Sequence, residues 1–104
     1  MADEGLRDQL LSALAPVGVR SRAMFGGHGL FRGDKFFGIV TEGAVYFRTD
    51  DASRPEYLAR GMPPLESKTR PRGPKTVDRN FQVPADILSD AELLLAWALR
   101  AAES

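Results

Sequence analysis

The sequence predicts an α+β domain of two layers, an antiparallel five-stranded sheet with its helices on one face. Short apolar runs are joined by tight glycine-containing separators, which indicates antiparallel neighbours, because a parallel crossover needs a dozen or more residues. Segments with helical spacing lie at both ends and once between strands, which gives the order α-β(3)-α-β(2)-α. The 104 residues are expected to form one domain, 1–104.

The composition excludes several classes of function. The chain has no cysteine, so disulfides, thiolate catalysis and cysteine zinc sites are ruled out. Fourteen basic residues balance fourteen acidic ones, so no overall field favours nucleic acid or an anionic membrane. The N-terminus lacks a secretory signal, and no apolar run could span a bilayer. We therefore expect a cytoplasmic protein without membrane contact, cofactor or metal.

The first helix is predicted within Asp3–Ala15, where leucines recur at three- and four-residue spacing before Pro16. The segment Val17–Phe25 is predicted to be extended, either as a separate segment or as part of the first strand. The glycine run 26–29 is expected to interrupt it.

Three short strands should form a meander after this interruption. Their separators, Gly33-Asp34 and Glu42-Gly43, are short and contain glycine, as hairpin loops require. The predicted strands are Leu30–Arg32, Phe36–Val40 and Val45–Phe47.

A short middle helix is predicted up to Arg60. The run Thr49–Asp51 offers N-cap candidates, and Gly61 stands where a helix C-terminus favours glycine. Tyr57 and Leu58 are expected to anchor this helix in the core.

Two further strands, Leu65–Thr69 and Lys75–Val83, are predicted around the turn 70–74. The last helix has the clearest start signal. Ser89 and Glu92 form a capping box, with Ser89 as the expected N-cap, and the helix should run to about Ala102.

The run Ala23–Phe31, Ala-Met-Phe-Gly-Gly-His-Gly-Leu-Phe, resembles the signature of the TfoX N-terminal domain family, also called Sxy-like. The resemblance extends from about Val19 to Ala101. It implies a secretion-chaperone-like fold without established catalytic residues or cofactor. It also implies bacterial regulation of competence and DNA uptake together with the cyclic-AMP receptor protein. Named regulators carry a second helical domain, so a stand-alone relative is expected. The signature positions here are Met24, Phe25, Gly26, Gly27, Gly29, Pro84 and Trp97.

Two features of the glycine run suggest chemistry at first sight. The single histidine, His28, has no cysteine or spaced carboxylate beside it, so a turn residue is expected rather than a ligand or base. The glycines precede a strand instead of a helix, so phosphate binding is disfavoured. A bulge or a turn with positive φ is expected there.

A basic stretch and the last helix remain as candidate surfaces. From Ser67 to Asn80 the local charge is five minus one, or +4, which suits a phosphate backbone but equally a solvated hairpin. The apolar width of the last helix exceeds half its circumference, which indicates core packing or an interface. The basic residues are Lys68, Arg70, Arg72, Lys75 and Arg79.

Three hypotheses of function follow. The first is a non-catalytic regulatory module that docks an unknown protein, or a second copy in a homodimer, through a sheet edge or the last helix. The alternative is a nucleic-acid-associated accessory domain that uses the basic hairpin 68–79. An enzyme with a site near His28 is the least favoured.

Overall fold

A computed structural model of the chain describes residues 2–24, 27–64 and 80–103. A single 3-10 turn, Ala15–Val17, follows the first helix. The regular elements are α1 (Ala2–Ala13), β1 (Val19–Met24), β2 (Gly27–Arg32), β3 (Lys35–Thr41), β4 (Ala44–Arg48), α2 (Arg54–Ala59), β5 (Asn80–Gln82), α3 (Ala85–Leu88) and α4 (Ala91–Ala102).

The strands form one five-stranded sheet in the order β1-β2-β3-β4-β5, and every neighbouring pair is antiparallel. The predicted α+β class and strand number are confirmed. The distribution differs, because four strands precede α2 and one follows it in the described part of the chain. The predicted strand Leu65–Thr69 and the predicted basic hairpin lie outside the described residues.

The predicted break in the first strand is confirmed, since β1 ends at Met24, but the break is short and three residues of the glycine run already belong to β2. Gly27 is already the first residue of β2, and β1 is a separate strand paired with it along its whole length. The register of β2 and β3 shifts between Leu30 and Phe31, where Phe37 is the extra residue. The bulge directs the side chain of Phe37 into the core, where its ring packs against Phe47 with the ring centroids 5.6 Å apart.

Both predicted hairpin loops are confirmed. Arg32 pairs with Lys35 and Thr41 pairs with Ala44, so each loop has two residues. In the second loop Glu42 and Gly43 have φ of 54° and 77°, which is the type I′ pattern that matches strand twist.

The core lies between the helices and one face of the sheet. Fully burying one large apolar side chain stabilises a fold by about 1.5–3 kcal/mol, so this cluster is the main stabilising feature. Its larger side chains from the helices are Leu10, Tyr57, Ile87, Leu94 and Trp97, and those from the strands are Leu30, Phe37, Val40, Val45, Phe47 and Phe81.

Two expectations about the helices are wrong. Leu58 does not anchor α2, since its side chain is 57% exposed while Tyr57 is buried. The N-cap of α4 is Asp90, whose side chain accepts hydrogen bonds from the backbone N–H groups of Glu92 and Leu93. Ser89 instead donates its hydroxyl to the carbonyl of Ala85, because the unpredicted helix α3 ends there.

The N-cap candidates predicted for the middle helix include Asp50, which makes capping hydrogen bonds one turn before α2 begins. Asp50 accepts from the backbone N–H of Ser53, and the Ser53 hydroxyl accepts from the N–H of Asp50. This reciprocal pair has the geometry of a capping box. Within the described residues, no helix is long and apolar enough to cross a membrane.

Candidate interaction surface

The described signature residues come from three places in the fold. Met24 and Gly27 pair at the end of the β1–β2 ladder, and Gly29 follows in β2. The carbonyl of Pro84 accepts from two backbone N–H groups in the first turn of α3. Trp97 lies on α4 and is 7% exposed. Phe25 and Gly26 lie outside the described residues.

The sequence predicted a bulge or a positive φ at the glycines, but Gly27 has neither a positive φ nor room for a side chain. Its φ lies outside the left-handed region, but a Cβ there would collide with the carbonyl oxygen of Val40. The same Cβ would lie 2.9 Å from the Cβ of Thr41. The glycine is therefore required by the close approach of β3, not by a turn.

His28 is a strand residue, so the expectation of a turn residue is wrong. It pairs with Ala23 on one side and Val40 on the other, and its side chain is half-buried. In the described ranges, no three His, Cys, Asp or Glu side chains come together as a metal-binding group.

Trp97 is the centre of an aromatic and cationic cluster in the helical layer. Its ring meets Tyr57 edge-on at 4.8 Å between centroids. The guanidinium carbons of Arg60 and Arg100 lie 5.5 and 5.6 Å from its ring centroid, within range for cation–π attraction. Burial raises the pKa of the Tyr57 hydroxyl well above its usual range, although the nearby Arg100 opposes this.

Each of these arginines also holds a carboxylate on another helix or its flank. Arg60 donates to Asp86 at 2.7 Å, and Arg100 donates to Glu56 at 2.7 Å. The hydrogen bond from Arg60 lowers the pKa of Asp86 below its usual range. These contacts connect α2 to α3 and α4, so the last helix is held within the fold.

A shallow groove of about 180 Å³ lies between α1 and the α3–α4 junction. Its walls are mainly apolar and include Leu6, Leu10 and Leu94, with Gln9 and Ser89 as polar members. The groove brings together no titratable side chains, so it offers no acid–base chemistry.

The face of the sheet opposite the core carries a different set of side chains. Residues paired across antiparallel strands point to the same side. Ile39 identifies the side opposite the core, because its side chain does not belong to the core cluster although it is only 4% exposed. It pairs with Gly29 and Tyr46, while Phe31 pairs with Arg20 and Phe36. We call this the second face and define it by Arg20, Arg22, Phe31, Phe36, Ile39, Tyr46 and Arg48. Arg20 and Arg22 are exposed, whereas Ile39 is buried and the other four are half-buried.

Charge is segregated between the two layers. The described strands contain five basic and no acidic residues. The four described α-helices contain six acidic and three basic residues. Among the described elements, the sheet is therefore basic and the helices are acidic.

The two edges of the sheet also differ. At the β5 edge, the backbone N–H of Gln82 donates to the carbonyl of Pro63 at 3.0 Å, and Pro64 forms a bridge with Phe81. At the other edge, no strand among the described residues pairs with the outer side of β1. In the part of the chain that the structure describes, β1 is thus the unpaired edge of the sheet.

Sequence reasoning missed both the second face and the edge of β1 that is unpaired among the described residues. The signal was present in the alternation of Arg20 and Arg22 along one strand, and in Phe31 and Phe36 on the next two. Which face each would occupy depended on the register, and the bulge at Phe37 shifts that register by one residue. The predicted basic residues between 68 and 79 lie outside the described ranges.

Comparison with family models gives a match over most of the chain. Residues 9–104 match the family model of the TfoX N-terminal domain, which covers nearly the whole chain. No curated protein matches the sequence.

Proposed function

The chain belongs to the TfoX N-terminal domain family, and we propose that it is a non-catalytic regulatory module that acts by binding another protein. Family membership supports the regulatory role, in the manner of the regulators of competence and DNA uptake. The β1 edge, which is unpaired among the described residues, supports the protein contact. Alternate residues of the six-residue strand β1 direct their backbone groups outwards to an added strand, whereas residues 63 and 64 occupy the opposite edge.

The last helix is the weaker docking surface. Its apolar side is packed in the core, where Leu94, Trp97 and Ala98 are each 7% exposed or less. Leu93 is the large apolar side chain of α4 that stays exposed, at 44%. One such side chain is normal on a protein surface and does not mark an interface.

The charge of the β1 edge favours a partner with acidic residues. Arg20 and Arg22 are both exposed on this strand. A second copy paired edge to edge would bring these arginines across from one another, and like charges directly opposite are destabilising. We therefore expect a strand from a different protein, with Asp or Glu at alternate positions.

Proline substitution at neighbouring positions tests the contact. Successive backbone N–H groups of a strand point to opposite sides, so Ser21→Pro and Arg22→Pro remove one N–H facing β2 and one facing outwards. We expect one variant to lose thermal stability. That variant is the one that loses an N–H facing β2. The variant that loses the outward N–H should stay folded but no longer bind the protein that the tagged wild-type chain captures from a lysate of its own cells.

Light scattering after size exclusion supplies the second measurement, because it separates capture of a partner from self-association. A strictly monomeric chain that retains no protein contradicts the proposed function. So does a captured protein that both proline variants retain while folded, because strand addition at β1 requires the outward N–H groups.

A further inference from the structure

We propose that the strand bound at the β1 edge is an amphipathic acidic segment of another protein, with carboxylates on one of its faces and apolar side chains on the other. The inference rests on the proposed function and deepens it, because it assigns the backbone groups that bind and the side-chain pattern that they select. Strand addition takes its affinity from main-chain hydrogen bonds and its specificity from alternate side chains.

The direction of the backbone groups follows from one hydrogen bond at the far end of the sheet. The carbonyl of Val45 accepts from the N–H of Val83 at 2.8 Å, so the backbone groups of Val45 point away from β3. Residues opposite each other in antiparallel strands either bond to each other or both point away. Val40, the partner of Val45, therefore points towards β2, and its oxygen lies where a Cβ on Gly27 would stand. His28 is opposite Val40 and bonds to β3, so its neighbour Gly27 bonds to β1.

This alternation divides the backbone groups of β1 into two sets. Gly27 is opposite Met24, so Met24 bonds to β2, and Arg22 and Arg20, two and four positions earlier, do the same. The other residues of the strand direct their N–H and C=O groups to the outer side. These residues are Val19, Ser21 and Ala23.

Arg20 and Arg22 hold the positions where an added carboxylate gains most. Both are exposed, and no carboxylate of the described residues forms an ion pair with either. Because neither bonds outwards, an antiparallel added strand meets them at the closer, non-hydrogen-bonded spacing, with Cα atoms about 4.5 Å apart. Arg20 also donates to the carbonyl of Gly33 at 2.8 Å, which holds its side chain in one orientation. Opposite charges facing each other at this spacing attract.

The other side of β1 favours apolar side chains on the added strand. Val19, Ser21 and Ala23 alternate with the arginines and so point to the helical layer, where Val19 packs against the core. Val19 and Ser21 are half-buried and Ala23 is exposed. All three side chains are small, so larger apolar side chains of the added strand have room beside them and extend the core. The bound segment is therefore expected to alternate carboxylates with residues such as valine.

A second copy of this chain does not fit the same edge. Its outward groups are those of the same alternate residues, so an antiparallel pair places its two-fold axis at a residue near the middle of β1. Whether the axis passes through Arg20, Ser21 or Arg22, an arginine stands directly opposite an arginine. Like charges in that arrangement are destabilising, which favours a strand of opposite charge.

Amide hydrogen exchange of the free, isotope-labelled protein tests the assignment of the backbone groups without a partner. The N–H groups of Val19, Ser21 and Ala23 should exchange at least about tenfold faster than those of Arg20 and Arg22, because only the latter bond to β2. Slow exchange at all five positions would overturn the inference, since the outer side of β1 would then be occupied already.

The probe for the side-chain pattern is an end-blocked peptide of four Glu-Val repeats, titrated against the labelled protein in about 50 mM salt. We expect chemical-shift changes centred on β1 and an affinity that falls as salt is added. Two control peptides should bind at least about fivefold more weakly. One has the same composition with its glutamates in a single block, and the other has four Lys-Val repeats.

Single substitutions identify the groups that bind the peptide. Ser21→Pro removes an outward N–H and keeps both arginines, so it should stay folded and weaken binding about fivefold or more. Arg22→Gln should weaken binding about two- to fivefold. Lys35→Gln makes the same charge change at an exposed residue two strands away, in the row of Val19, and should leave the affinity unchanged. Unchanged thermal unfolding of each variant shows that the fold is retained.

The outcomes separate this inference from the proposed function. Equal affinity for the three peptides, no binding of the Glu-Val peptide at low salt, or an Arg22→Gln variant that binds as the wild type does overturns the acidic amphipathic pattern. Capture of a protein that requires the outward N–H of Ser21 would then leave the proposed function standing. Peptide binding and protein capture that both survive in a folded Ser21→Pro variant would overturn the two together, because neither would use the outer side of β1.

Discussion

Replacing Gly27 by alanine separates crowding from backbone conformation as the reason for this glycine. The added Cβ would lie 2.9 Å from the Cβ of Thr41, about 0.5 Å or more inside an ordinary contact, and would also collide with the Val40 carbonyl. Part of the β2–β3 ladder must then open. Overpacking of this kind costs about 1–3 kcal/mol. A loss of about 2 kcal/mol should lower Tm by about 10 °C in a domain of this size.

Gly43 is the matched control, since its φ is 77° and nothing lies within 4 Å of a Cβ placed there. Gly43→Ala should cost about 1 kcal/mol, and Gly43→Asn should cost less, because asparagine tolerates the left-handed region. At Gly27 the alanine and asparagine variants should both be strongly destabilised, because both carry a Cβ. Circular dichroism melts and urea titrations measure these differences. A stable Gly27→Ala, or a clear advantage of asparagine over alanine at Gly27, would refute the reasoning.

Two further predictions concern the helical layer. Trp97→Ala should destabilise the fold by about 3–5 kcal/mol in urea, whereas Leu93→Ala on the exposed side of α4 should change it by less than about 0.5 kcal/mol. Equal losses would contradict the assignment of the apolar side of α4 to the core. Asp86→Asn should flatten the acid dependence of Tm. Because Arg60 lowers the folded-state pKa of Asp86, the pair stabilises above the unfolded pKa, and this is lost as the pH falls below about 4. A variant with the same Tm profile as the wild type between about pH 5 and pH 2 would show that the pair contributes nothing.

Local signals predicted most of the fold. The type I′ loop at Glu42-Gly43 needs positive φ at two adjacent positions, and the sequence supplies a glycine at the second. The leucines of α1 and the apolar positions of α4 recur with helical spacing, so both helices were predictable. Each of these signals acts within a few residues of chain.

The N-cap of α4 shows where local reasoning failed. Ser89 and Asp90 are both good N-cap residues, so the sequence alone does not choose between them. The choice depends on α3, which ends at Leu88 and uses the Ser89 hydroxyl for its own carbonyl. A four-residue helix has too weak a periodic signal to be predicted.

The sequence by itself determined the α+β class, the antiparallel hairpins, the terminal helices and the family, because these depend on short-range spacing and on a contiguous motif. The tertiary structure decided which surfaces remain for binding. It placed α4 in the core, left the outer side of β1 without a strand partner among the described residues, and brought arginines and aromatic rings together on the second face of the sheet. Those outcomes depend on strand register and on contacts between residues far apart in the chain, which pattern alone does not specify.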